Sequence, residues 1–327
     1  MFSHSDSLSN IRLQYPNPNL SNKKNWPVTD NFDDFPRCRM VMGLPSSWCN
    51  FHSVPIIVQT SPAMVVKKKQ MQRNSGSNIL ITGASSGIGR ALAIRFAEPG
   101  VSLYLCARNL SALQNTSDAC RNEGANVEIA QVDVRQNEAV KAWIDQIAEK
   151  TRIDLVIANA GVLGSHGEER CFEDTETAQL QIATNLGGSV NVVTSVVPHM
   201  QKQKGGQIAL ISSLSSLQPI ADMPAYAASK AGLNAYGEAI SFFLHADGID
   251  VSVICPGFIK SPMAEKYASW RPLEMTADKA AARIKRAIAR KRAFYAFPLA
   301  LYAVILLGRL VPWRLRRLTT KGFNYQR

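Results

Sequence analysis

Asn78-Ile-Leu-Ile-Thr-Gly-Ala-Ser-Ser-Gly-Ile-Gly-Arg-Ala-Leu-Ala-Ile-Arg-Phe-Ala97 is the stretch whose reading decides the fold. Asn78 to Thr82 is a short apolar run with the length of a buried strand, and Arg90 to Ala97 reads as a helix. Three glycines lie between them. Glycine permits a tight turn, close approach of the backbone to a pyrophosphate, and close packing of helix on strand, while the helix amino terminus attracts an anion. Gly83, Ser85, Ser86, Gly87, Ile88 and Gly89 are therefore the candidate phosphate cradle.

Working outward, the same alternation repeats. Val101 to Cys106, Val127 to Val132 and Asp154 to Ala158 read as strands, and Leu110 to Asn122 and Asn137 to Lys150 as helices. Apolar strands separated by helices argue for an α/β fold built on a doubly wound parallel sheet with helices on both faces. Ligand is then expected at the carboxyl ends of the strands. At the end of the second strand stands Ala107-Arg108-Asn109, where a carboxylate would accept ribose hydroxyls and repel a 2′-phosphate. The planar donor fork of Arg108 grips a phosphate instead. NADP(H) is thus expected, with NAD(H) as the alternative if Arg108 merely opens the next helix.

Further along, Met223-Pro-Ala-Tyr-Ala-Ala-Ser-Lys-Ala-Gly-Leu places Tyr226 and Lys230 one helical turn apart on one face. A free phenol holds its proton to a pKa of about 10, and a nearby cation favours the phenolate. The pair can therefore give and take a proton near neutral pH. Upstream, Thr177 to Gln203 reads as one long helix containing Asn185, and Gln207 to Ser213 as a strand ending in serines.

Thr82-Gly-Ala-Ser-Ser-Gly-Ile-Gly, Asn159-Ala-Gly161 and Tyr226-x-x-x-Lys230 occur together and in this order. The chain resembles the short-chain dehydrogenase/reductase (SDR) family over residues 77–297. The resemblance implies a Rossmann-like sheet of about seven strands and hydride transfer between a nicotinamide cofactor and a carbonyl or alcohol. Ser213, thirteen positions before the tyrosine, would bond the substrate carbonyl, with Ser212 the rival if the register slips by one. Tyr226 would be the general acid/base, and Lys230 would lower its pKa and bond the ribose. Asn185 would hold a water in a proton relay. Asp133 and Val134 would sit at the adenine, Asn159, Ala160 and Gly161 along the ribose, and Pro256, Gly257 and Ile259 over the nicotinamide. Residues 258–275 would form the substrate loop, where Phe258, Ile259, Met263, Tyr267 and Trp270 imply an apolar substrate. The resemblance also implies a homodimer or homotetramer. A relative of the same fold serving as a silent nucleotide sensor is the alternative, against which the intact Ser213, Tyr226 and Lys230 argue.

The two ends differ from this middle. Nine Lys/Arg and four Asp/Glu lie in residues 1–75, 16 and 21 in 76–282, and twelve and none in 283–327, so the net charge of +12 resides at the ends. Nucleic-acid binding is not expected, because the basic tail carries no groove-reading motif. Residues 1–76, rich in Ser, Asn and Pro, read as disorder or a misassigned start, and a chain beginning at Met71 is expected to fold. Residues 298–327 open with Leu299 to Gly308, an apolar run flanked by Arg309, Trp313 and Arg314-Leu-Arg-Arg317. Two expectations stand side by side for 298–317: peripheral contact with a membrane, or burial against the enzyme. Cys38, Cys49, Cys106, Cys120, Cys171 and Cys255 have no metal-ligand spacing and read as reduced thiols of a cytoplasmic protein, if anything peripheral on the inner face of a membrane.

Overall fold

The computed structural model describes residues 77–164, 172–219, 221–265 and 271–312. The expectations placed on residues 1–76, Cys171, Tyr267, Trp270 and 313–327 lie outside these residues. The first half runs β1 (Asn78–Thr82), α1 (Gly87–Phe96), β2 (Ser102–Ala107), α2 (Leu110–Asn122), β3 (Asn126–Gln131), α3 (Asn137–Lys150) and β4 (Leu155–Ala158). Next come α4 (Thr175–Ile182), a π-helical turn (Ala183–Gly187), α5 (Gly188–Lys202), β5 (Gly206–Ile211), α6 (Pro224–Leu244) and β6 (Ile249–Pro256). After β6, the short pieces β7 (Ile259–Lys260), α7 (Pro262–Glu265) and β8 (Met275–Thr276) interrupt what reads from sequence as one loop. The described residues end with α8 (Ala277–Ala289), β9 (Phe294–Phe297) and α9 (Leu299–Leu310).

Seven strands form one sheet in the order β3-β2-β1-β4-β5-β6-β9, and every neighbouring pair in it is parallel. The strand period of two divides the core. Ile79 and Ile81 point to the face covered by α1, α2 and α8, with Leu92, Leu113 and Ile284 packed there. Leu80 points to the other face, where Trp143 of α3, Val193 of α5 and Leu233 of α6 pack. The chain builds outward from β1 to β3, then returns to lay β4 on the other side of β1. A crevice opens where the order reverses, at the carboxyl ends of β1 and β4.

The long helix expected over Thr177 to Gln203 is a continuous helical stretch with a flaw in it. Ala183–Gly187 adopts the wider π turn, and Asn185 sits inside. A π turn admits one extra residue and re-aims its side chain, an arrangement common where side chains have a task. The strand expected to end in serines stops at Ile211, although Ser212 N still donates to Ile254 O at 2.7 Å.

Candidate active site

Two cavities meet at the carboxyl edge of the sheet. The first, about 450 Å³, runs from Gly83, Ser85, Ser86, Gly87 and Ile88 past Arg108, Asp133, Val134 and Asn159-Ala-Gly161 to Tyr226 and Lys230. Gly83 and Gly87 have φ of +66° and +53°, which L side chains rarely adopt. A Cβ on Gly83 would stand 2.7 Å from Ala160 Cα, so this turn closes against the β4 loop as only glycine can. Gly89 lines neither cavity. A Cβ there would meet Gly83 O at 2.2 Å, and its work is to let α1 pack under the turn.

Asn159 ties the two halves of the crevice together. Its Nδ2 donates to Thr82 O at 3.0 Å and to Gly83 O at 3.2 Å. Thr82 Oγ1 accepts from the backbone N–H groups of Asn159 and Ala160. Arg108 is exposed on the rim, and Asn109, which sequence reasoning did not single out as a lining residue, caps α2 by accepting from Ala112 N at 2.9 Å. The Arg135 guanidinium grips the Asp133 carboxylate, with Nη2 to Oδ2 at 2.6 Å. That bond holds the Asp133 pKa below the usual carboxylate range, with a smaller contribution from the charge of Arg108.

Lys230 is 4% exposed and donates from Nζ to Ile211 O at 2.8 Å. Burial lowers its pKa to about 8, against a smaller opposing effect of Cys255. Its ammonium lies 5.8 Å from the centroid of the Tyr226 ring. Ser212 and Ser213 part company here. Ser212 is buried and its hydroxyl is spent on Lys230 O at 3.1 Å. Ser213 is half-buried, lines the second cavity with Tyr226, and its Oγ accepts from Ser215 N at 3.1 Å.

Asn185 lines neither cavity. Its Oδ1 accepts from Val162 N at 2.7 Å, and its Nδ2 donates to Val162 O and to Ser229 Oγ. Ser229 Oγ in turn donates to Tyr226 O at 2.7 Å. The π turn thus clamps the strand-end loop to the tyrosine helix. A second clamp was not legible in the sequence. Buried Glu173 accepts from Ala225 N at 2.9 Å at the start of α6 and also holds Gln181 Nε2, while Gln181 Oε1 accepts from Gly164 N.

The second cavity, about 480 Å³, shares Ile88, Leu163, Ser212, Tyr226, Ser261 and Met263 with the first. Pro256, Gly257 and Ile259, expected over the nicotinamide, line this cavity and not the first. Phe258 and Met263 of the expected substrate loop line it as well. Among the described residues no cluster of His, Cys, Asp or Glu could hold a metal ion. Cys106, Cys120 and Cys255 are buried free thiols.

A dinucleotide fits the first cavity. Its turn closes against Ala160 only because Gly83 lacks a Cβ, Arg108 is exposed on its rim, and buried Thr184 on its wall has an Oγ1 without a hydrogen-bond partner. Comparison with known proteins agrees. The short chain dehydrogenase family model matches residues 77–272. An uncharacterized oxidoreductase of Myxococcus xanthus is 33% identical over 243 residues, covering 74% of this chain and 95% of its own. A short-chain dehydrogenase of Sphingobium yanoikuyae, solved in complex with NADPH, is similar at 26% identity and a TM-score of 0.62, over 72% of this chain and 94% of that one. Carveol dehydrogenase of Mycobacterium avium, solved with NAD, shares the fold at 23% identity and a TM-score of 0.62, over 68% and 96%. With a nucleotide cradle at the sheet's switch point, Tyr226 and Lys230 at its inner end and this family's pattern over most of the described residues, the chain belongs to the short-chain dehydrogenases, oxidoreductases of the CH–OH/C=O couple that use a nicotinamide cofactor.

Proposed function

We propose that the chain is an NADP(H)-dependent reductase or dehydrogenase of an apolar carbonyl or alcohol. The observation that carries this is Tyr226 standing in the wall common to both cavities, with Ser213 on the apolar side and Lys230 on the nucleotide side. The bound cofactor supplies or accepts the hydride at its nicotinamide ring. Ser213 donates a hydrogen bond to the substrate oxygen and turns the carbonyl toward that ring. Tyr226 delivers the proton to that oxygen on reduction and removes it on oxidation. Lys230 favours the phenolate and bonds the ribose, and Asn185, joined to the tyrosine helix through Ser229, supports the water relay that refills the proton. Asp133 and Val134 serve the adenine end. The completeness of this set weighs against a silent nucleotide sensor.

Arg108 is the proposed 2′-phosphate ligand. A charge-assisted hydrogen bond contributes about 2 kcal/mol, or roughly thirtyfold in binding. Wild-type enzyme should therefore show a higher kcat/KM with NADPH than with NADH, and Arg108→Asp should reverse the order. Steady-state oxidation of both cofactors against a panel of ketones and aldehydes tests this. An unchanged NADPH preference in Arg108→Asp removes the residue from recognition, and oxidation of neither cofactor with any carbonyl sinks the reading.

We place the enzyme in the cytoplasm, peripheral on the inner face of a membrane. No helix among the described residues is long and apolar enough to cross a membrane. The two sequence expectations for α9 apply to different sides of it. Leu301 and Ile305 are buried against the core, whereas Leu299 and Leu310 are 72% and 81% exposed, and Arg309 stands next to Leu310. An exposed apolar face with a basic residue at its end suits an anionic bilayer surface. The protein should sediment with vesicles of anionic lipid and less with neutral ones, and Leu299→Glu/Leu310→Glu should abolish it; no sedimentation of the wild type overturns the membrane contact. A homodimer or homotetramer is the proposed assembly, for which Phe242 and Phe243, exposed on α6, offer an apolar face. Sedimentation velocity reads it directly.

A further inference from the structure

Part of the wall of the cavity that Ser213 and Tyr226 line comes from α9 and its C-cap, through Leu301, Val304, Ile305, Leu307, Gly308 and Val311. These positions recur every three or four residues along one helix face and span about 15 Å at the helical rise. α9 lies beyond residues 77–272, where the family model matches. Val304 and Leu307 line the cavity and are also more than 60% exposed. The cavity therefore opens to the surface along α9, and its mouth is apolar.

Gly308 marks a gap in this wall. It sits inside α9, its φ is not in the left-handed region, and a Cβ built on it meets no atom of the described residues within 4 Å. Elsewhere in the site glycines answer to close contacts, as Gly257 does against Pro298 Cδ at 3.0 Å and Leu301 Cδ2 at 3.4 Å. Among the described residues no contact calls for a glycine at 308, and a glycine weakens a helix interior relative to alanine. What it leaves is open space at the cavity's outer end.

We infer that α9 makes the cavity a channel for an extended hydrocarbon, held by its carbonyl at Ser213 and Tyr226, with its tail passing Gly308 to the apolar outer surface of the helix. The substrate class is thus a carbonyl or carbinol on a long alkyl or isoprenoid-like chain, rather than a compact ketone. Cavity polarity agrees. Ser213, Ser215 and Tyr226 are among its few polar lining residues, and the charged lining residue Arg271 is ion-paired to Glu274 at 2.8 Å. This inference rests on the reductase reading above for the carbonyl end only; the channel itself is a matter of binding.

A series of 2-alkanones from 2-hexanone to 2-tridecanone tests it, using the full chain with NADPH. Each methylene sheltered by the α9 wall is worth roughly fourfold in binding. Wild-type kcat/KM should accordingly climb with chain length and level off once the tail reaches solvent. Gly308→Trp should lower the kcat/KM ratio of 2-tridecanone to 2-hexanone at least tenfold, while Gly308→Ala keeps the wild-type ratio and reports on folding. Calorimetric binding of the same ketones to the enzyme saturated with NADP+ reads the channel without turnover. Length-dependent binding that Gly308→Trp abolishes, without reduction of any ketone, upholds the channel and overturns the reductase reading. Equal losses for both ketones in Gly308→Trp, or no chain-length dependence in the wild type by either readout, overturns the channel.

Discussion

Tyr226→Phe is expected to lower kcat by a factor of about 10²–10⁴ while leaving cofactor affinity within about threefold, the range that a positioned proton donor supplies. The substitution removes one oxygen. The ring remains, so its surface in both cavities and its contact with the Lys230 ammonium at 5.8 Å are kept. Lys230 Nζ keeps its bond to Ile211 O, and the Asn185 amide keeps its bonds to Val162 and Ser229. The turn and strand ends that cradle the dinucleotide are untouched. Nicotinamide fluorescence titration and steady-state kinetics on the same preparation separate the two quantities. A variant retaining more than a tenth of wild-type kcat would remove Tyr226 from proton transfer.

Lys230→Met should separate stability from activity in the opposite sense. Burial holds the Lys230 pKa at about 8 against 10.5 in the unfolded chain. The unfolded state therefore binds the extra proton between those values, and this group's contribution to stability rises with pH through that window. At pH 7 keeping the buried ammonium charged costs about 3 kcal/mol. Methionine removes that cost and is similar in length, but leaves Ile211 O without its donor, a loss of about 1 kcal/mol. The cofactor-free variant should consequently be about 2 kcal/mol more stable than wild type at pH 7, and the gain should vanish by about pH 10. Its activity should fall further than that of Tyr226→Phe, because both the cation beside the phenol and the ribose donor are lost. In the oxidation direction, the pH at which the rate rises should move upward, since the phenol has lost its stabilising charge. Urea unfolding at pH 7 and 10 checks the first claim and the pH–rate profile the second. A destabilised variant at pH 7 contradicts the buried-cation cost, and an unshifted profile contradicts the coupling.

Much of the fold was legible because each of its signals is local. The apolar runs before Thr82, Cys106 and Ala158 and the helical stretches between them lie within a residue or two of the observed strands, except that α1 begins earlier, at Gly87. Leu110–Asn122 and Asn137–Lys150 coincide with the observed helices at both ends. The π turn was not legible. A helix with one extra residue has the same composition and nearly the same period as one without, and here Val162 and Ser229, distant in sequence, secure the displaced Asn185. The Glu173–Gln181 clamp was hidden for the same reason, since a glutamate before a helix reads as solvated until Ala225 N is brought to it.

The site divides along the same line. By itself the sequence determined the sheet, the glycine turn, and the Tyr226–Lys230 spacing, because strand alternation, backbone freedom and helical period act between near neighbours. Tertiary structure alone separated the two serines. Ser212 and Ser213 are chemically identical and both line the second cavity, but Ser212 is buried with its hydroxyl donated to Lys230 O, whereas Ser213 is half-buried. It also set Pro256, Gly257 and Ile259 along the second cavity, and turned α9 so that it both buries Leu301 and lines that cavity. These are matters of which face of an element meets which neighbour. That is settled only when segments far apart in the chain exclude water from the same space.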